Sequence, residues 1–271
     1  MTAPITKILK LLLKKTFLSN HYFAVHQYFI SKLSGLHSIN RRIRYRNSIL
    51  LDVNLGDWIQ QQVYFLGDYE REEIDYLCQN LRPGNTFIDI GANIGLYTLN
   101  AAEIVGENGK VFAFEAFPAN FDKLQHHLKL NNFMNVTAEN LAISSERCFL
   151  EIYYDKQFNN SGMASAYLKN TSLKQEVQAT SLDEYVQEKK ISAIHFIKID
   201  IEGGEYNAVV GMQNVLKRFK PTLLVEVNPE TLAKSGKGEG DLIDLLSSLH
   251  YDKKIVLSRN ESSYNAIFLP G

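Results

Sequence analysis

Cysteine is scarce in this chain: Cys78 and Cys148 are the only two among 271 residues. Their spacing fits neither a zinc site nor a disulfide framework, so a reducing, cytoplasmic setting is expected. No low-complexity tract, internal repeat or long linker is visible, and the composition is ordinary for a soluble globular protein. Long apolar runs are missing too. Leu11-Leu12-Leu13 is flanked by Lys10, Lys14 and Lys15, too short to span a bilayer, and no small-residue cleavage site follows it. Net charge is nearly absent, −1 for the whole chain, so nucleic acid is not an expected partner. Acidic residues are absent from positions 1–50, which hold Lys7, Lys10, Lys14, Lys15, Lys32, Arg41, Arg42, Arg44 and Arg46. The remainder therefore carries 20 of the 29 bases against all 30 acids. A basic arm on an acidic body predicts attraction to something anionic: a phosphate-bearing substrate, a membrane surface or an acidic partner face.

A third glycine is the next informative absence. In Thr86-Phe-Ile-Asp-Ile-Gly-Ala-Asn-Ile-Gly-Leu-Tyr-Thr98 an apolar run is followed at once by Gly91-Ala-Asn-Ile-Gly95 and then by an apolar periodic segment. That order predicts a buried parallel strand, a tight turn and a helix whose N-terminus points back at the turn. Glycines there let a ligand approach the backbone, and the helix start offers N–H groups. The dinucleotide fingerprint needs Gly-x-Gly-x-x-Gly around a pyrophosphate, but position 93 is Asn. Asp89 would also repel a pyrophosphate. A carboxylate suits a ligand with a positive end, such as the aminoacyl-sulfonium part of S-adenosylmethionine. Val111-Phe-Ala-Phe-Glu115 ends a second strand in an acid placed to accept hydrogen bonds from ribose hydroxyls. The expected cofactor-binding set is Asp89, Gly91, Ala92, Asn93, Gly95, Glu115 and Asp200.

Beyond these, the chain alternates strand and helix. Strands are expected at 86–90, 111–115, 135–139, 194–200, 222–227, 252–257 and 264–269. Helices are expected near 70–81, 95–105, 119–131, 181–189, 204–218 and 240–249. Alternating βα units imply a doubly wound, mostly parallel sheet. The last two strands are joined only by 258–263, too short for a helical crossover, so they should pair antiparallel. The expected architecture is an α/β, Rossmann-like, seven-stranded sheet of the class I methyltransferase kind with a C-terminal antiparallel hairpin. Residues 1–75 read as a helical and hairpin appendage, with amphipathic helices over 4–34 and a hairpin at Asn47-Ser48. Residues 76–271 read as the catalytic domain. A strand insertion falls at about 148–180, with an irregular tip at Asn159-Asn-Ser-Gly-Met-Ala-Ser165. The arm is expected to pack on the catalytic body through Leu9, Leu12, Leu13 and Phe17; weak contact with the inner face of a membrane is the alternative.

Phe196-Ile-Lys-Ile-Asp-Ile-Glu-Gly-Gly-Glu205 places acids where a buried strand meets a helix, and Leu223-Leu-Val-Glu-Val-Asn228 repeats the pattern. Ligands of such sheets bind outside the carboxyl ends of strands. Asp200, Glu202 and Glu226 are therefore the catalytic candidates, while Glu205 could instead favour the helix N-terminal dipole. A carboxylate of ordinary pKa is a poor base for an alcohol unless burial raises it. The less favoured alternative is a divalent metal on Asp200, Glu226 and Asn228. The histidines, including His195 and His126-His127, show no ligand spacing and read as surface or packing residues.

The combination of Phe87-Ile-Asp-Ile-Gly-Ala-Asn-Ile-Gly-Leu-Tyr-Thr98, Phe112-Ala-Phe-Glu115, Thr180-Ser-Leu-Asp183, Ile197-Lys-Ile-Asp-Ile-Glu-Gly203 with Glu205, and Val225-Glu226 closely resembles the FkbM-type methyltransferase family. Trp58 and Gly67-Asp-Tyr-Glu70 fit the same pattern, and the resemblance spans about residues 57–229. One departure is Ala116-Phe117-Pro118, where many relatives carry Glu-Pro directly. The resemblance implies S-adenosylmethionine-dependent O-methylation of a hydroxyl on a sugar, glycan or glycosylated metabolite. The alternatives are a polyketide-type or other small-molecule hydroxyl, or a non-catalytic cofactor-binding protein.

Overall fold

The computed structural model describes residues 35–46, 48–154, 173–260 and 262–271, together with residues 6, 9–11, 13, 22–28 and 30. The 159–165 tip, and Leu12 and Phe17 of the arm, lie outside the described residues. The described chain divides into two units between Arg71 and Glu72.

In the first unit, Thr6, Leu9, Lys10, Leu11 and Leu13 are helical. Leu13 is buried and Leu11 exposed, as an amphipathic helix requires. The Lys10 ammonium lies over the Tyr64 ring at 4.4 Å. Helix α1 (Tyr22–Tyr28) sets Tyr22 and His26 against Trp58, with ring centroids 5.6 and 4.5 Å away. Strands β1 (Asn40–Tyr45) and β2 (Ile49–Asn54) form the expected hairpin, pairing Asn40 with Asn54 and Tyr45 with Ile49. Helix α2 (Trp58–Phe65) was not legible beyond its tryptophan; the Asp57 carboxylate caps it, accepting from the Gln60 N–H at 3.0 Å. The arm's described contacts include α2 in its own unit.

The second unit begins within α3 (Arg71–Asn80). Strands β3 (Thr86–Ile90), β4 (Lys110–Phe114) and β5 (Val136–Glu139) pair in parallel, joined by α4 (Leu96–Val105) and α5 (Pro118–Asn131). Every β3 residue is buried, which is why it reads as an unbroken apolar run around one acid. The chain then makes a three-stranded side sheet. Its strands are β6 (Ala142–Ile143), β7 (Cys148–Tyr154) and β8 (Leu173–Thr180), ordered β6-β8-β7.

After α6 (Leu182–Glu188), strand β9 (Phe196–Ile199) enters on the other side of β3, followed by β10 (Thr222–Val227). Strands β11 (Lys253–Arg259) and β12 (Tyr264–Leu269) close the sheet as the expected antiparallel hairpin. The order is β11-β12-β10-β9-β3-β4-β5, with helices on both sides. Strand order reverses between β3 and β9, where open α/β sheets leave a crevice.

The expected single helix over 204–218 is two: α7 (Glu205–Val210) and α8 (Gln213–Phe219). Gly211 lies so near the Ser144 carbonyl that a Cβ would sit 1.9 Å from its oxygen. The Thr180-Ser-Leu-Asp183 motif is architectural here. Ser181 caps α6, and the Asp183 carboxylate accepts from the Asn214 and Val215 N–H groups that start α8. Helices α9 (Pro229–Lys234) and α10 (Glu239–Ser248) complete the unit.

Candidate active site

The crevice is built from the turns that leave β3, β4, β9 and β10. Asp89 is fully buried. Its Oδ2 accepts the Thr98 hydroxyl at 2.6 Å, and its Oδ1 has no hydrogen-bond donor. The Lys198 ammonium stands 3.7 Å from that Oδ1 and 3.3 Å from Asp200 Oδ2, and it donates to the Gly91 carbonyl at 2.8 Å. Burial pushes the Asp89 carboxyl up, against the opposing pull of Lys198 and Thr98.

The Gly91–Gly95 turn is set chiefly by the protein itself. The Gly91 and Ala92 N–H groups both donate to the Phe114 carbonyl at 2.9 Å, and the Asn93 N–H donates to Glu115 Oε2 at 2.7 Å. Gly91 has φ +81°, and a Cβ there would meet the Asp200 carbonyl oxygen at 1.8 Å; at Gly95 it would meet Leu124 at 2.7 Å. These glycines and N–H groups were expected to serve a ligand; strand and helix packing already demand both glycines. Asn93 also holds a positive φ of 52°, and its buried Oδ1 has no donor.

Glu115 receives the Asn93 and Phe117 N–H groups on its two oxygens, which fixes the turn after β4. Asn140 braces the same turn, donating to the Glu115 and Ala116 carbonyls at 2.8 and 3.0 Å. Burial pushes the Glu115 carboxyl up to about 7, with the backbone donors partly offsetting it.

Across the crevice, Asp200, Glu202 and Glu226 bring carboxylate oxygens within 4.8 Å of one another. Burial first, then the Asp200 and Glu205 charges, raises the Glu202 carboxyl to about 8. Glu202 has a left-handed φ of 54°, a strained geometry for a non-glycine residue. Glu205 holds this loop from inside: its buried carboxylate accepts from the Ile201 and Gly203 N–H groups at 3.0 Å, and burial raises it to about 7. Glu226 accepts the Ser263 hydroxyl from the β11–β12 turn at 3.0 Å.

Asn228 Oδ1 caps α9, accepting from the Glu230 and Thr231 N–H groups, so it already carries a structural role at the end of β10. His195 accepts the Thr86 N–H at 2.9 Å, and buried His127 pairs with the Ile94 carbonyl at 2.8 Å, so both are packing residues. Lys198 was missed by the sequence reading. Its signal was a lysine amid Phe196, Ile197 and Ile199, where a buried strand should be apolar.

A doubly wound sheet ending in an antiparallel hairpin, with acids after its strands, defines the class I methyltransferase fold. Residues 89–253 match the methyltransferase FkbM domain. The hexuronic acid methyltransferase AglP of Haloferax volcanii is 25% identical over 199 residues, 71% of this chain and 78% of that protein. A ribosomal RNA large subunit methyltransferase E of Bdellovibrio bacteriovorus is 26% identical over 115 residues, 42% of this chain and 55% of that one. Among solved structures, the methyltransferase FkbM of Methylobacillus flagellatus superposes with a TM-score of 0.50 at 15% identity. It covers 78% of this chain, which spans about half (52%) of that longer one. The chain belongs to the FkbM methyltransferase family and is an S-adenosylmethionine-dependent methyltransferase.

The residues present fit that cofactor. Two buried acceptors without donors, Asp89 Oδ1 and Asn93 Oδ1, suit an ammonium group, because an orphaned buried polar atom is costly unless a ligand supplies its partner.

Proposed function

We propose that this enzyme methylates a hydroxyl oxygen of a sugar or glycan. The observation that carries the reading is the convergence of Asp200, Glu202 and Glu226 within 4.8 Å, outside β9 and β10 and beside the Asp89 turn. Asp89, Gly91, Ala92, Asn93 and Gly95 would hold the methionine end of the cofactor, with Asp200 beside them and Glu115 on the ribose. S-adenosylmethionine, when bound, supplies the electrophilic methyl group.

The chain's own task is to align the acceptor hydroxyl and remove its proton. Glu202, raised to about 8, is a far better base than an ordinary carboxylate. Asp200 and Glu226 would orient the sugar through its other hydroxyls. The sugar class is supported by the similarity to a hexuronic acid methyltransferase over most of both chains.

The test is turnover against a panel of neutral hexoses and hexuronic acids, free and nucleotide-linked. Mass spectrometry and NMR should find one methyl group on oxygen; methylated nitrogen or carbon would sink the reading. Asp200→Asn should reduce kcat well beyond any loss of cofactor affinity, and exhaustive chelation should leave turnover intact.

The basic first fifty residues support a second, weaker contact: reversible association with an anionic membrane surface, where lipid-linked glycans would be met. No helix among the described residues is long and apolar enough to cross a membrane, so such a contact would be peripheral.

A further inference from the structure

Lys198 is anomalous in β9. It is 4% exposed, and its neighbours Phe196, Ile197 and Ile199 are as deeply buried. Burying an ammonium is costly unless opposite charges and hydrogen bonds compensate it. Here the compensation is uneven. The ammonium donates to the Gly91 carbonyl at 2.8 Å and stands 3.3 Å from Asp200 Oδ2, but keeps 3.7 Å from Asp89 Oδ1. It therefore neutralises charge at the crevice floor while leaving the Asp89 oxygen open as an acceptor. It also lies over the Tyr97 ring, 5.2 Å from its centroid.

We propose that Lys198 is a positioning residue that sets the charge of the cofactor end of the crevice: it offsets one of the two carboxylates, Asp89 and Asp200, and fixes the Gly91 carbonyl between them. The proposal rests on the placement of the methionine end at Asp89 and Gly91 argued above. The physical reason is differential binding. Methyl transfer from a sulfonium discharges one positive charge. Two uncompensated carboxylates beside that charge would stabilise the reactant more than the transition state, and so slow the reaction. One lysine between them keeps enough negative charge to select the cation without trapping it. It also anchors the turn that Asp89 and Asn93 need in order to present their open oxygens.

Isothermal titration with S-adenosylmethionine and with S-adenosylhomocysteine tests this without any acceptor. The two ligands differ by one methyl group and one positive charge. In Lys198→Met, at pH 8 and low salt, the preference for the cationic ligand should rise by about tenfold or more, since a unit charge at such distances is worth at least that in a partly buried site. Lys198→Arg should keep the wild-type ratio. A merely structural lysine would weaken both ligands in parallel and leave the ratio alone. An unchanged ratio in folded Lys198→Met, or a ratio in Lys198→Arg that moves with it, overturns the proposal.

Should Lys198→Met not fold, Asp89→Asn reads the same charge balance from the other side. The preference should then fall by a similar factor, and an unchanged ratio alongside weakened binding of both ligands overturns the proposal. If Asp89→Asn leaves both affinities at wild-type values, the placement of the methionine end fails, and the role of Lys198 falls with it.

Discussion

At the scale of single residues, acids of one chemical type divide into braces and open groups. Glu115 and Glu205 brace backbone N–H groups, Glu115 with one donor on each oxygen and room for a second, whereas Asp89 keeps one oxygen without a donor. Glu202 is set apart by its elevation to about 8. Its base form is the carboxylate, so kcat should rise as pH climbs through about 8 and level off above it. Glu202→Gln removes the base; it should lower kcat by about 10²-fold or more and abolish that rising limb. A rising limb that persists unchanged in the glutamine variant would assign the base elsewhere. Which acids carry this difference was not legible in the sequence, where Asp89, Glu115, Asp200, Glu202 and Glu226 are all acids at strand ends. Their partners lie far along the chain: Lys198 sits 107 residues from Gly91, and Ser263 sits 37 from Glu226. Side-chain pairing at that separation leaves no local pattern.

At the scale of elements, the sequence spoke clearly where burial writes a pattern. Strands 86–90, 222–227 and 264–269 fall where the apolar runs placed them, because a strand buried on both faces has little freedom in composition. The break between α7 and α8 was illegible because its cause, the Ser144 carbonyl, belongs to another part of the fold. The short α9 was legible in principle, from Asn228 followed by Pro229, a capping residue before proline at the first helical position.

The same contrast between packing and ligand roles yields an element-scale prediction. Gly91→Ala places a methyl 1.8 Å from the Asp200 carbonyl oxygen at φ +81°, forcing β3 and β9 apart at their carboxyl ends. The thermal midpoint should drop sharply, by about 3 kcal/mol or more in stability. Gly236→Ala carries the same φ with nothing within 4 Å and should cost only about 1 kcal/mol. Equal midpoints for the two variants would return Gly91 to a purely ligand-facing role.

At the scale of the whole molecule, the charge asymmetry remains the feature the fold does not absorb. Arg42 pairs with Asp52, and Arg46 with Asp68, so part of the basic excess is held inside the first unit. Leu11 is exposed at 69% within the lysine-rich segment 10–15, and apolar groups beside lysines are what an anionic bilayer attracts. Sedimentation with vesicles containing phosphatidylglycerol should capture the protein at low salt and release it as salt is raised, each engaged lysine contributing about 1 kcal/mol. Absence of any salt-sensitive capture would leave the arm a packing element alone.

The strand order carries a further consequence, for synthesis rather than catalysis. β12 comes last of the seven strands in the chain, yet it lies inside the sheet between β10 and β11 and brings Ser263 to Glu226. A ribosome must therefore pass residue 269 before the sheet can close over its interior edge. Until then β10 presents an unpaired backbone edge along residues 223–227, the kind of surface that invites wrong pairing and that holding chaperones recognise. Nascent chains cut short before β12 should fail as a class, whatever residue they stop at, because completion of the sheet and of the Glu226 side of the crevice is deferred to one late strand.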